Sequence, residues 1–142
     1  MRDPFGGDDL DRSLTAAGRD QATALATWFA GHPLIAVWSS LAVRCIETVS
    51  PLAEAHGLEV VPKRELTEGA ASIDLVELLR CEAAKPDDLI LCSHGDLIPE
   101  VLNRLLREGM AVVGGRGCEK GSIWSLETRG RDIVRGVYTA RP

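Results

Sequence analysis

Aromatic residues make up only 4% of this 142-residue chain, and histidine occurs three times, at His32, His56 and His94. The core must therefore be aliphatic, and histidine chemistry has three places to be. The four cysteines, Cys45, Cys81, Cys92 and Cys118, include no C-x-x-C pair, which argues against a zinc ribbon or a redox dithiol motif. No His, Asp or Glu cluster has ligand spacing, so no metal or cofactor is expected. No apolar run approaches the ~20 residues of a membrane span. The opening MRDPFGGDDL is too polar and glycine-rich for a signal peptide. An excess of positive charge is lacking too, the net charge being -5. That argues against a general nucleic-acid binder or an anionic-membrane surface protein. A small anionic ligand stays open, because a local cluster of Arg and His can oppose the global sign. The expectation is a cytoplasmic protein whose Cys45, Cys81 and Cys92 are reduced, core or near-core residues.

What is present is a single domain over residues 1–142, organised around Leu89 to Cys92. Four consecutive apolar residues bracketed by charge read as a strand buried on both faces of a parallel sheet. Ser93-His94-Gly95-Asp96 follows, and then a helix with Leu97, Ile98, Val101, Leu102, Leu105 and Leu106 at three- and four-residue steps, ending near Gly109. Upstream, Met1 to Ser13 reads as loop. Thr15 is a helix cap, the stripe Ala22, Leu25, Ala26, Phe29 marks a helix, and Gly31 stops it. Leu34 to Trp38 is a second buried strand. A helix from about Leu41 to Ala55 follows, with a kink or break expected at Pro51. Leu58 to Pro62 is a candidate edge strand, Lys63 to Ala71 is irregular, and Ile73 to Ala84 is helical. Gly114 to Ser122 reads as a flexible loop without Walker spacing. Ser122 to Glu127 and Asp132 to Thr139 form a hairpin through Thr128 to Arg131. The fold class is α/β: a mostly parallel sheet with helices on both faces and an antiparallel edge.

Ligands of open α/β sheets bind beyond the carboxyl ends of the strands, where the free N–H groups opening a helix favour an anion. His94 stands at such an end. Arg44 stands one turn into the helix after Val37-Trp38-Ser39-Ser40, so parallel neighbouring strands bring the two to one rim. A guanidinium grips two phosphate oxygens and an imidazole supplies a proton or a third hydrogen bond. Cysteine-phosphatase spacing is absent, with Ile98 six residues after Cys92 and Trp124 six after Cys118. His32 and His56 read as surface turn residues. Ser93 and His94 are adjacent, which points their side chains apart and argues against a hydrolase triad.

Four motifs in order carry a resemblance: DLDRSLTAAGRDQA from Asp9, SSLAVRCIETVSPLA from Ser39, ELTEG from Glu65 and LCSHGDLIP from Leu91. They resemble the histidine phosphatase superfamily, the phosphoglycerate-mutase-like fold, and within it small phosphohistidine-phosphatase-like members and the second domain of Nudix and histidine-phosphatase fusions. The resemblance implies hydrolysis of a phosphomonoester or phosphohistidine through a phosphorylated histidine. It makes Arg44 the phosphate clamp, His94 the second histidine that stabilises the transferring group, and Glu68 the proton donor to the leaving oxygen. Gly95 would bring a backbone N–H to the phosphate, and Asp96 is a helix-start carboxylate. The family's first strand ends in Arg-His-Gly or Arg-His-Ala and carries the nucleophile. No such motif occurs in these residues, so the implied fold lacks its first, interior strand and the implied chain turns over little or nothing. The partners implied are a small phosphorylated molecule or a phosphoprotein. The missing strand gives a reason for pairing as a homodimer. The alternative to an enzyme is a non-catalytic module that holds a phosphorylated ligand.

Overall fold

The structure, a computed structural model, describes residues 12–142. Most of the predicted amino-terminal loop, with Asp9 and Asp11, lies outside the described residues. The elements, in order, are α1 (Ala16–Trp28), β1 (Ala36–Ser39), α2 (Val43–Ala55), β2 (Val60–Pro62), a 3-10 turn (Arg64–Leu66), α3 (Ser72–Ala83), β3 (Leu89–Cys92), α4 (Leu97–Arg107), β4 (Ala111–Val113), β5 (Ile123–Arg129) and β6 (Asp132–Thr139). Each predicted helix and strand has a counterpart within two residues or so at each end, the usual scatter of such boundaries. Thr15 caps α1 as expected, its Oγ1 accepting the Gly18 N–H at 3.1 Å.

The described strands form two sheets rather than one. β2-β1-β3 is wholly parallel, and β4-β6-β5 joins the terminal hairpin to β4. In the first sheet β1 is the central strand, with Ser39 opposite both Pro62 and Cys92. That corrects the expectation that β3 is buried on both faces. β3 has β1 as its one partner among the described strands, and all four of its residues are only half-buried. Val37 of β1 is fully buried instead. Parallel strands alternate their side chains between two layers of helix. Val37, Ile90 and Cys92 face Val49, Leu52 and Ala53 of α2, while Trp38 and Leu91 face Leu75, Val76, Leu97 and Val101 of α3 and α4. Ile133 and Met110 carry the second sheet into the latter cluster.

Three further expectations meet structural detail, and one of them, the burial of Cys81, is corrected. α2 runs unbroken through Pro51. Ser50 Oγ and Thr48 Oγ1 donate to the carbonyls of Ile46 and Arg44, each at 2.6 Å, so side chains supply local donors in the turns before the proline. Cys81 is exposed, because the faces of α3 that pack inward are led by Leu75 and Val76. The glycine loop is anchored at Gly117. Its carbonyl accepts from Trp124 Nε1 at 2.8 Å, and any side chain there would meet the Tyr138 ring.

Candidate functional site

The register of β1 against β3 builds the site. Because Ser39 lies opposite Cys92, the two chains leave the sheet side by side, and the Ser40 N–H donates to the Cys92 carbonyl at 2.9 Å. Two residues after Cys92, His94 is folded inward and is 8% exposed. Its carbonyl accepts from the N–H groups of Leu97 and Ile98, which locks the turn into α4.

Each nitrogen of the His94 ring has its own environment. Nε2, on the inner side, lies 2.7 Å from Ser40 Oγ and 3.8 Å from Cys45 Sγ. Nδ1, on the outer side, lies 3.5 Å from Arg44 Nη2 and 3.8 Å from Glu68 Oε2. Arg44 Nη2 and Glu68 Oε2 are 3.3 Å apart. The structure thus brings Arg44, Glu68 and His94 to one rim. Gly95 is exposed beside them, with nothing within 4 Å of where a side chain would begin. Room for an anion against the loop backbone follows from that.

The loop carrying Glu68 is tied to the turn carrying His94 at two points. Ser93 Oγ donates to the Leu66 carbonyl at 2.7 Å, and the Gly69 N–H donates to Asp96 Oδ2 at 3.2 Å. Asp96 does sit at the helix start, yet its carboxylate fastens the neighbouring loop instead of capping α4. Sequence reading missed this role, and missed Ser40 and Cys45 as neighbours of His94. The signal available for Ser40 was its place immediately after a strand. For Cys45 there was its adjacency to Arg44, although on a helix that predicts divergence as readily as convergence.

Charge tunes the cluster. Hydrogen bonding from Cys92 lowers the Cys45 pKa to about 5 against the opposing effect of burial, with further lowering from His94 and Arg44. Cys92 is pushed up by the same contact and by burial. His94 is raised, chiefly by its hydrogen bond to Cys45, while burial and Arg44 oppose and Glu68 assists. Among the described residues no group of three or more His, Cys, Asp or Glu could hold a metal ion.

His32 and His56 belong to the opposite end of the sheet. His32 Nε2 lies 2.9 Å from Asp88 Oδ2, just before β3 begins, and His56 Nε2 lies 2.8 Å from the His32 carbonyl. At ~3.3 Å per strand residue, the span from Asp88 to His94 is roughly 20 Å. Neither histidine reaches the rim.

The comparisons with known proteins agree with this geometry. Residues 4–73 match the histidine phosphatase superfamily (branch 1), a stretch that includes Arg44 and Glu68. The chain is 28% identical over 148 residues to an 8-oxo-(d)GTP phosphatase of Mycolicibacterium smegmatis. That alignment takes in 99% of the chain, which spans 45% of the relative's length. Among solved structures, SixA of Agrobacterium tumefaciens, assigned as a phosphohistidine phosphatase, is 26% identical with a TM-score of 0.61, over 76% of this chain and 70% of that one. A mycobacterial glucosyl-3-phosphoglycerate phosphatase in complex with VO3 shares the fold at 20% identity and a TM-score of 0.62, over 92% and 87% of the two chains. The motifs, the parallel sheet between two layers of helix and these matches together make the chain similar to the histidine phosphatase superfamily.

Proposed function

We propose that this chain supplies the phosphate-gripping half of a histidine-type phosphatase site, and that its 142 residues bind phosphate without turning over substrate. One observation carries the reading: a guanidinium and an imidazole, 3.5 Å apart, converge on a rim at the carboxyl ends of two parallel strands. Two such donors repel one another when both are charged and are reconciled by an anion between them. Arg44 clamps two phosphate oxygens, His94 Nδ1 takes a third, and Gly95 offers its backbone N–H. Glu68, 36% exposed and within 4 Å of both cationic groups, is assigned the role of protonating a leaving oxygen once it has taken up a proton from solvent.

The reaction also needs a nucleophile, and these residues offer none. His32 and His56 are held at the far end of the sheet, and His94 fills the stabilising role. A non-catalytic phosphate-binding module is therefore the second reading. The ligand class is a small phosphorylated molecule or a phosphoprotein. Nucleic acid is disfavoured by the net charge of -5, and four free thiols suit a cytoplasmic setting. Pairing of two copies as a homodimer remains part of the proposal.

Titration of the 142-residue chain with phosphate or vanadate, beside His94→Ala, tests the site. Binding weakened at least tenfold in the variant supports it, and equal affinity of the two proteins refutes it. Assay with an aryl phosphate should show no hydrolysis above background, whereas turnover would refute the second half. Appending a strand that ends in Arg-His separates the two readings: hydrolysis supports the phosphatase and continued silence supports the binding module.

A further inference from the structure

The inner side of His94 carries a group that phosphate chemistry does not call for. Cys45, buried at the first turn of α2, directs its sulfur at Nε2 from 3.8 Å, while Ser40 Oγ occupies the same nitrogen from 2.7 Å. Ser40 Oγ also accepts the Ala42 N–H at 3.1 Å, so one of its lone pairs is already engaged. Cys92 of β3 is the neighbour that lowers the Cys45 pKa most. Among the described residues, the charged or titratable groups that bear on this arrangement include Arg44 from α2, Glu68 from the loop before α3 and Cys92 from β3, and the Ser93 carbonyl lies 4.0 Å from the Cys45 sulfur.

An imidazolium 3.5 Å from a guanidinium needs a counter-charge. On the outer side Glu68 provides one, but Glu68 stands where the anion must come. We propose that Cys45 is a positioning residue, a buried thiolate that pairs with His94 Nε2–H and keeps the ring protonated so that Nδ1–H stays directed at the bound anion. This deepens the phosphate-site reading and rests on it. Cys92 serves as the donor that stabilises the thiolate from behind, giving an ordered chain: Cys92 S–H to Cys45 sulfur, and His94 Nε2–H to the same sulfur. The lowered Cys45 pKa and the raised pKa values of Cys92 and His94 are the directions such a chain requires. Cys45 itself touches no substrate.

The test uses the reduced chain, Cys45→Ala, Cys45→Ser and Cys92→Ala, with sulfate as the probe because its charge does not change between pH 5 and pH 9. Thiolate absorbance near 240 nm, the His94 ring nitrogen shifts and sulfate affinity are each followed against pH. In the parent chain one thiolate forms near pH 5 and the His94 midpoint lies above its usual ~6.5. Both Cys45 variants lose that thiolate step, and their His94 midpoint falls by a unit or more. Their sulfate affinity then drops about tenfold more than the parent's between pH 6 and pH 8, since a unit of pKa is tenfold in protonated fraction. Cys92→Ala, which leaves Cys45 in place, moves the thiolate step upward. A His94 midpoint unmoved by Cys45→Ala and Cys45→Ser, or no thiolate step below pH 8 in the parent, overturns the proposal. Sulfate binding that persists in either case leaves the phosphate site standing without the pair. Expected thiolate and His94 behaviour with no sulfate binding supports the pair and refutes the phosphate site.

Discussion

Replacing Glu68 by Gln should tighten phosphate binding, because the carboxylate occupies ground that the anion wants. Its Oε2 lies 3.3 Å from Arg44 Nη2 and 3.8 Å from His94 Nδ1, the two donors assigned to phosphate. A phosphate oxygen placed between those donors comes within roughly 4 Å of the carboxylate, where two unit charges repel by about 1 kcal/mol in water and about 4 kcal/mol at an effective dielectric of 20. Glu68 is 36% exposed, so solvent screening selects the lower end. A gain of roughly 1 kcal/mol is about fivefold in Kd, and Gln keeps the size and leaves the donors in place. Calorimetric titration of phosphate into parent and variant at one pH and ionic strength measures it, and raising the salt should shrink the difference. Unchanged or weaker binding would refute the assignment, since Glu68 would then be ordering Arg44 for the ligand rather than competing with it. In a phosphatase completed by a nucleophilic histidine the same substitution removes the proposed proton donor. There kcat should fall by ~10²-fold or more even as ground-state binding improves. Opposite signs from one change are hard to produce by misfolding.

Arg44→Lys keeps the charge but loses the two-pronged grip, so phosphate affinity should fall about tenfold by the same titration. Leu97→Ala, at a side chain 1% exposed in the cluster beneath α4, should cost about 2–5 kcal/mol in urea unfolding; a loss under 1 kcal/mol would contradict the packing described. Asp96→Ala should leave the Gly69 amide without its acceptor and speed its hydrogen exchange about tenfold, an effect worth ~1 kcal/mol for one such bond. The Cys45 and His94 pair also links stability to pH. Cys45, lowered to about 5 from 9.0, contributes stability that is lost as pH falls through 5, while His94, raised, contributes stability that is full below ~6.5 and lost as pH rises through its folded value. Between pH 5 and pH 6.5 the unfolded chain holds roughly half to two-thirds of a proton more, so stability should climb by a little under ~1 kcal/mol per pH unit. Cys45→Ser should flatten that climb, and an identical slope in urea midpoints would refute it.

Much of the fold was legible because its signals are local. The Thr15 cap, the apolar stripes of α1 and α4, and the four-residue run of β3 need only neighbours in sequence. What was misread depends on distant partners. Leu89 to Cys92 announces a strand by composition, yet its burial depends on what lies at each edge, and the run cannot reveal that β1 takes the centre. Pro51 reads as a breaker from its own chemistry, whereas the Ser50 and Thr48 hydroxyls that engage carbonyls in the preceding turns are visible only in three dimensions. Within the site, Arg44, Glu68 and His94 carry side chains whose chemistry suggests phosphate. Ser40, Cys45 and Asp96 act through contacts spanning 54, 49 and 27 positions, and a serine, a cysteine and a helix-start aspartate each have a commoner explanation.

The unliganded rim is electrostatically incomplete, and that bears on how it works. Arg44 opposes protonation of His94, Glu68 and Cys45 favour it, and burial opposes it again. An arriving phosphate takes over the role of Glu68 on the outer side, but nothing it does replaces Cys45 on the inner side. Binding should therefore release Glu68 from its ion pairs while strengthening the bond between His94 and the sulfur, since a second anion on Nδ1 further favours the charged ring. The carboxylate freed at that moment, now beside the phosphate charge that favours its protonation, can take a proton from solvent and is the one proposed to hand it to a leaving oxygen. Arrival of the phosphate and mobilisation of the acid are then a single electrostatic event, which requires Glu68 to be partnered by Arg44 and His94 before the ligand comes, as it is here.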